Sequence, residues 1–543
     1  MQPTTIETLA AWAARLRFSD LPERVIEKAR AQQASVLAAS LAGRQDSGAR
    51  KVLAATQRAA EAGRVPVLAG GFSTSRPRAV FANAAVSCTF DFDEILLLGH
   101  PGHSSVTVPL ALGTELARTW GEATAAQVAA NEVAGRLGLA TFFGPQNGQM
   151  IPHLHCAGAA VAAGRLLGLD ERALAHALAI ALAQPPAPLW PSFLGPIESK
   201  ILTAAQGALT GVQAAELAAA GLTGALDLLD HPHGFFRRFT WAPVPRALGG
   251  LGRAWLSDTL QVKLHAACWY FQGALDAVLA ARAELAQGGG GFRPEEVARI
   301  ECRVTFLAEA VTALEGGTSH GRLTANEANF SLPVALALAL VNGRLLPQDL
   351  APEPLAAQEP AVRALADKIR VQHDWELTGK LLGELDRALD LPGLLGTVSL
   401  LDLFGALRSA RREFPRAGAL RLAELGRAVL RAPAVLARLG RGRGRRYDLG
   451  EHDLSSLLLP ISGEVEVELA GGRRARVRRD VPEGALGLPG ASARALAKLH
   501  AAAGPVLGDE AAAHLVRALA TAAPSQPLAE AVPLVTWNRV PVV

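Results

Sequence analysis

Alanine and leucine return every three or four residues through the first half of this chain. Residues 123–140, "ATAAQVAANEVAGRLGLA", and residues 211–224, "GVQAAELAAAGLTG", show the pattern. That spacing is the period of a helix. Small side chains on nearly every turn let helices approach closely, so the region from Thr5 to about Leu260 is expected to be a multi-helix domain buried on several sides. Gly221 and Gly224 read as helix-end punctuation.

The texture changes near Lys263. "RIECRVTF" alternates Ile300, Cys302, Val304 and Phe306 with Arg299, Glu301, Arg303 and Thr305, the pattern of a half-buried strand. "DKIRVQHD" reads as a second, shorter strand. "EVEVELAGGRRARVRR" reads as a hairpin turning at Gly471–Gly472, with Glu464, Glu466 and Glu468 facing Arg474, Arg476 and Arg478. After Pro482 the helical pattern returns. The expected fold is mainly α, a large all-helical domain over 1–261 with a smaller α+β lid domain over 262–481. C-terminal helices over 482–543 rejoin the helical domain.

A segment inside the lid, about 377–459, is rich in Leu, Arg and Gly. Between Arg408 and Arg446 the only acids are Glu413 and Glu424. Such a basic helical insertion fits either an ordinary solvated surface or a docking face for an anionic partner such as lipid headgroups or nucleic acid.

With 543 residues, 50% of them hydrophobic, the chain can bury a large core. Mean hydropathy is +0.21, yet no apolar run reaches the roughly 18 to 20 residues that span a bilayer. "MQPTTIETLAAWAARLRFSD" reads as a capped amphipathic helix and not a signal peptide, so a soluble, cytoplasmic protein is expected. Cys88, Cys156, Cys268 and Cys302 are widely separated, which argues against a disulfide framework or an iron–sulfur site. A net charge of +4 and a pI near 9.0 favour an anionic partner only weakly.

Titratable groups concentrate in "FDFDEILLLGHPGHSS", which places Asp91, Asp93, Glu94, His100 and His103 around an apolar run. A carboxylate pair closely followed by histidine suits general acid–base work, and His-Pro-Gly suits a turn that aims an imidazole. Helix-capping aspartates and a satisfied loop histidine fit the same letters. In "QMIPHLHCAG", His153 and His155 precede a helix. H-x-H can bind metal, but no third ligand is near. A histidine there can instead hold a carboxylate at a helix N-terminus, or have no role. Lys200 and Lys263 each lead into apolar helical runs. They either snorkel or meet a substrate bearing several carboxylates.

Taken together these segments resemble the MmgE/PrpD family, which includes 2-methylcitrate dehydratase, cis-aconitate decarboxylase and an iminodisuccinate epimerase. "FANAAVSCTFDFDE…HPG" is similar to its N-terminal signature and "ANEVAGRLGLA" to the helix that follows. "GAAVAAGRLLGLDERALAHALAIA" is similar to its alanine-rich helix, and "SKILTAAQGALTGVQ…HGFFRRF" to its lysine segment. "VKLHAACWYFQGALDAVL" and "NEANFSLPVALALALVNGRL" resemble its second lysine stretch and its Phe-Ser-Leu-Pro helix. The order is kept throughout, over most of the chain apart from the basic segment.

The resemblance implies a helical domain with an α+β lid, a homodimer, and an active site between domains that needs no cofactor. It implies a lyase, most simply a dehydratase of a small 2-methylcitrate-like polycarboxylate. An epimerase using the same proton abstraction, or a non-catalytic binding or assembly member, are the alternatives. Asp91 and His100 would move protons and bind substrate, with His155 beside them. Lys200 and Lys263 would neutralise carboxylates or an enolate-like intermediate. His103, His153 and Cys268 would line the substrate site. Departures from the family pattern count against cis-aconitate decarboxylase. Ile95 stands for a threonine, Val334 for a tyrosine, Cys268 for the histidine of decarboxylases, and His265–Ala266 for aromatic-Pro.

Overall fold

The computed structural model describes residues 2–97, 99–144, 152–187, 192, 197–287, 291–315, 321–413, 446–485 and 487–533. The fold is mainly α, with small sheets. The helical body begins with α1 (Thr5–Arg15), opened by a reciprocal Thr4–Glu7 capping box. It continues through α2 (Glu23–Gly43), α3 (Ser47–Arg58), β1 (Val65–Val67), β2 (Phe72–Thr74) and α4 (Arg76–Ser87). After β3 (Glu94–Leu96) come α5 (Gly102–Ser105), α6 (Thr107–Glu115), α7 (Trp120–Ala140), α8 (Pro152–Leu166), α9 (Glu171–Ala183) and α10 (Leu202–Ala219). No single described helix is long and apolar enough to cross a membrane.

The small residues that set the helical period also set the packing. At Gly211 an added Cβ would stand 2.3 Å from the Cys156 carbonyl and 2.7 Å from Ala159 Cβ, so α10 and α8 cross almost backbone to backbone. This crossing ties two site residues together, because His155 lies on α8 and Lys200 on the 3₁₀ turn that opens α10.

Beyond β4 (Leu260–Val262), the helix Gln272–Gln287 leads to a four-stranded sheet in the order β6-β5-β7-β8. Here β5 (Val297–Val304) runs parallel to β6 (Ile369–His373) and antiparallel to β7 (Gly463–Leu469), which pairs with β8 (Arg474–Arg479). All four strands fall on the segments whose alternation predicts them. Register pairs Glu464 with Arg478, Glu466 with Arg476 and Glu468 with Arg474, and the turn places Gly472 at φ 82°. Arg476 bonds Glu464 at 2.5 Å and Arg474 bonds Glu468 at 2.8 Å, on the exposed face. Val465, Val467 and Leu469 are buried with Ile300 and Cys302 in one apolar cluster, where β7 packs on the helix Gln272–Gln287 that contributes Leu275 and Val278.

Two further pairs, β1–β2 and β3–β4, escape the sequence pattern because three residues are too few to display a period. The C-terminal helix Ala491–Leu507 packs along α2. Of the arginine-rich stretch, residues 414–445 lie outside the described residues. The described parts of segment 377–459 place Leu381, Leu389, Leu394 and Leu449 in the same apolar core as α1 to α10.

Gly211→Val should overpack the α8–α10 crossing and cost about 1–3 kcal/mol. Chemical denaturation of the variant against the wild type checks this, with an unchanged midpoint as the contrary result.

Candidate active site

The site grows from the chain between α4 and α5. α4 ends at Cys88, and the backbone reaches Asp91 in the left-handed region, at φ 51°. Aspartate tolerates this conformation better than most side chains, yet it costs free energy that the surroundings must offset. The strand β3 then pairs antiparallel with β4, Glu94 opposite Val262 and Leu96 opposite Leu260. One further bond, from the Lys263 amide to the Asp93 carbonyl at 3.1 Å, extends the ladder and sets Lys263 beside Asp93. Residues 170 positions apart thus meet through a strand pair of three residues.

Lys263 is fully buried and gives its ammonium to Asp91 Oδ2 at 2.7 Å and Asp93 Oδ1 at 2.8 Å. Lys200 bonds Asp91 Oδ1 at 2.8 Å and stands 4.7 Å over the ring of Phe330 from the lid. Asp93 Oδ2 accepts from His100 Nδ1 at 2.8 Å and from His103 Nε2 at 3.2 Å. Asp91, Asp93, His100, His103, Lys200 and Lys263 therefore form one connected cluster. Only Asp91 and His100 expose appreciable side-chain surface, 12% and 20%.

Burial disfavours every charge here, and the partners outweigh it. Lys200 and Lys263 hold the Asp91 carboxyl well below its ordinary range, and Lys263 with the two histidines does the same for Asp93. The carboxylates in turn raise both lysines.

The histidines divide. With the Ser87 hydroxyl proton on the Ala84 carbonyl at 3.0 Å, its contact with His103 Nδ1 at 2.9 Å is met by an N–H on the ring. Nε2 faces the Asp93 carboxylate, so it too carries a proton. The His103 value is raised well above that of a free imidazole: burial opposes the charge, but Cys88 and Asp93 prevail. His155 is the reverse. With the Ser104 hydroxyl proton on the Pro101 carbonyl at 3.1 Å, its 2.9 Å contact with His155 Nδ1 places the ring proton on Nδ1 and leaves Nε2 a lone pair. That Nε2 is buried and has no hydrogen-bond partner among the described residues. Burial, then the neighbouring imidazoles, push His155 well below its ordinary value. The two rings lie 5.8 Å apart.

His153 turns elsewhere, to Thr141 Oγ1 at 3.1 Å and the rings of Phe235 and Phe239. The two members of H-x-H thus face different surroundings. Cys268 is buried close enough for the cluster's charges to act on it, its thiol pushed up to about 12 by burial and then by Asp91. Ile95 lies in the core of the helical body and Val334 in that of the lid. A cleft of about 950 Å³, lined by Trp12, Arg15, Glu171 and Trp255 among others, includes none of the cluster.

Sequence reasoning passes over Asp93 as the hub, the orienting Ser87 and Ser104, and Lys498. Only Lys498 leaves a signal. It falls on the inward face of its helix, in spacing with the buried Ala491, Ala495 and Ala503.

Residues 7–246 match the model of the MmgE/PrpD N-terminal domain and residues 265–388 that of the MmgE/PrpD C-terminal domain. The chain belongs to the MmgE/PrpD family. No curated protein matches it in sequence.

Lys263→Met removes the buried cation that two carboxylates share and should cost about 3–5 kcal/mol, read by urea unfolding. Because Asp93 is depressed in the folded state, its stabilising contribution is present above its ordinary value of 3.8 and lost as pH falls through the lower folded value. Asp93→Asn should therefore lose less stability than the wild type on acidification below pH 4, and parallel acid-unfolding curves would contradict this.

Proposed function

We propose that this protein is a lyase, a dehydratase acting on a small 2-methylcitrate-like polycarboxylate by removing a proton next to a carboxylate. The reading rests on one observation: the rings of His103 and His155 lie 5.8 Å apart, one with Asp93 at its Nε2 and the other with no partner at its Nε2 among the described residues, in a cluster with two buried lysines. Pairs of titratable groups pushed in opposite directions are the mark of an acid and a base.

In this mechanism His155 Nε2 takes the proton from the carbon next to a carboxylate. Negative charge spreads onto that carboxylate as the C–H bond breaks. Lys200 and Lys263 meet it in place, without reorganising. Among the described residues Lys263 spends two of its three N–H donors on carboxylates, which leaves one for a ligand. The carbon–oxygen bond then breaks, His103 protonates the departing hydroxide, and an alkene and water result. Asp91 and Asp93 keep the lysines charged and placed, and His100 stands at the partly exposed rim. Two buried ammoniums standing beside the histidines suit a substrate that carries more than one carboxylate. None of these steps uses a hydroxyl at position 95 or 334.

Incubation with hydroxy-polycarboxylates in deuterated water tests the proposal. Alkene formation is the expected result. Deuterium incorporation without loss of water would make the chain an epimerase, and neither product across the panel would leave a binding protein. His155→Gln should lower kcat by about 10²–10⁴-fold with little change in KM. The pH–rate profile should be level near pH 6.5, because the base titrates well below that value and the acid well above it. A single limb centred there would contradict the assignment.

A further inference from the structure

Lys498 belongs to the helix Ala491–Leu507, outside both stretches matched to the family. It is buried and reaches the underside of the site. Its Nζ donates to the carbonyls of Phe92 at 2.5 Å, Lys263 at 2.8 Å and Asp93 at 3.2 Å. Ser35 Oγ, at 2.8 Å, is a fourth acceptor around its three N–H groups, and Ser35 donates its own proton to the Asp93 carbonyl at 2.8 Å. The ammonium stands 3.9 Å from the centre of the Phe92 ring. No carboxylate is among these partners.

Those carbonyls come from the two chain segments that carry the cluster. Phe92 and Asp93 enter β3, and Lys263 leaves β4. A strand pair of three residues has few ladder bonds to resist slipping or fraying, and a slip would separate Lys263 from Asp91 and Asp93. We infer that Lys498 is a positioning residue, a cation clamped beneath the β3–β4 junction that fixes the register in which Lys263 shares both aspartates. The inference builds on the reading of the cluster as a proton-transfer site.

The charged groups acting on it are Asp93 and Glu94, at β3, and Lys263, after β4. Burial brings the ammonium down to about 7, with Lys263 adding to the fall and Asp93 and Glu94 opposing it. Its loss of a proton replaces one donor with a lone pair facing carbonyl oxygens, so the clamp weakens on the alkaline side.

Amide hydrogen exchange on the full chain tests this without any substrate. In Lys498→Met, peptides covering 90–97 and 258–264 should exchange about tenfold faster, while the hairpin β7–β8 exchanges as in the wild type. Lys498→Arg should recover part of the protection. Wild-type rates at the junction, or equal loosening of the hairpin, would overturn the inference. Should the methionine variant not fold, the wild type decides. Corrected for intrinsic rates, junction protection relative to the hairpin should fall as pH rises through about 7, and a constant ratio refutes the clamp. With an active polycarboxylate in hand, Lys498→Met should lower kcat about tenfold and leave KM within about threefold. A wild type inactive on every polycarboxylate would refute the dehydratase reading while the amide experiment still stands.

Discussion

A fully buried ammonium is unaffordable in a protein core unless it is paired, and Lys263 is the group around which this molecule is arranged. Its pairing with Asp91 and Asp93 sets three demands at once. Asp91 must turn its carboxylate inward, which puts its backbone at φ 51°. Asp93 must stand at the head of β3, so that one carboxylate serves Lys263 and both histidines. The segment after β4 must arrive in register, through the antiparallel pairing and the Lys263–Asp93 backbone bond. Removing either aspartate leaves charge without a partner in a place water does not reach.

The rest of the local architecture serves that geometry. Glu94 points into the body, where its Oε1 accepts from the Gly102 amide at 2.7 Å and from Gln32 at 3.2 Å. Burial and then Asp93 raise its pKa, so the carboxyl sits close against the backbone of α5. An added Cβ on residue 102 would meet that carboxyl at 2.3 Å, which is why glycine follows His-Pro. α5 in turn carries His103 and Ser104, and Ser104 orients His155. Three chain segments far apart in sequence are registered by short-range contacts of this kind, on a scaffold of close-packed alanine helices.

Much of the scaffold was legible beforehand. The helices and the four-stranded sheet have periods long enough to show, and the Glu and Arg rows of the hairpin declare their own partner. The cluster was legible only in part. Composition and spacing left Asp91, His100, Lys200 and Lys263 with two readings each, and resemblance to the family chose between them. Spacing could not show that Asp93 is the shared acceptor, because hub and cap look alike in one dimension. Nor could it say which of His153 and His155, two residues apart and so on opposite faces of one helix, faces the cluster. What separates them is Phe235 and Phe239 on one side and Ser104 on the other, contacts made by distant segments. Lys498 was passed over because a lone lysine in an alanine-rich helix normally lies on the solvent face.

The division of labour between His103 and His155 sustains itself. Each ring is tied at Nδ1 to a serine that also has a backbone carbonyl within reach, and with its proton on that carbonyl each serine accepts from the ring. His103 has the Asp93 carboxylate at its other nitrogen, which favours a second proton, whereas His155 has no partner there among the described residues. The charge on His103 then acts on His155 across 5.8 Å and depresses it further. On this account the two imidazoles hold three ring protons between them, and the nearby aspartate decides which ring has the extra one. In the proposed mechanism that asymmetry supplies an acid and a base without a tyrosine or threonine hydroxyl, so Val334 and Ile95 can be core residues without removing a proton carrier from the scheme.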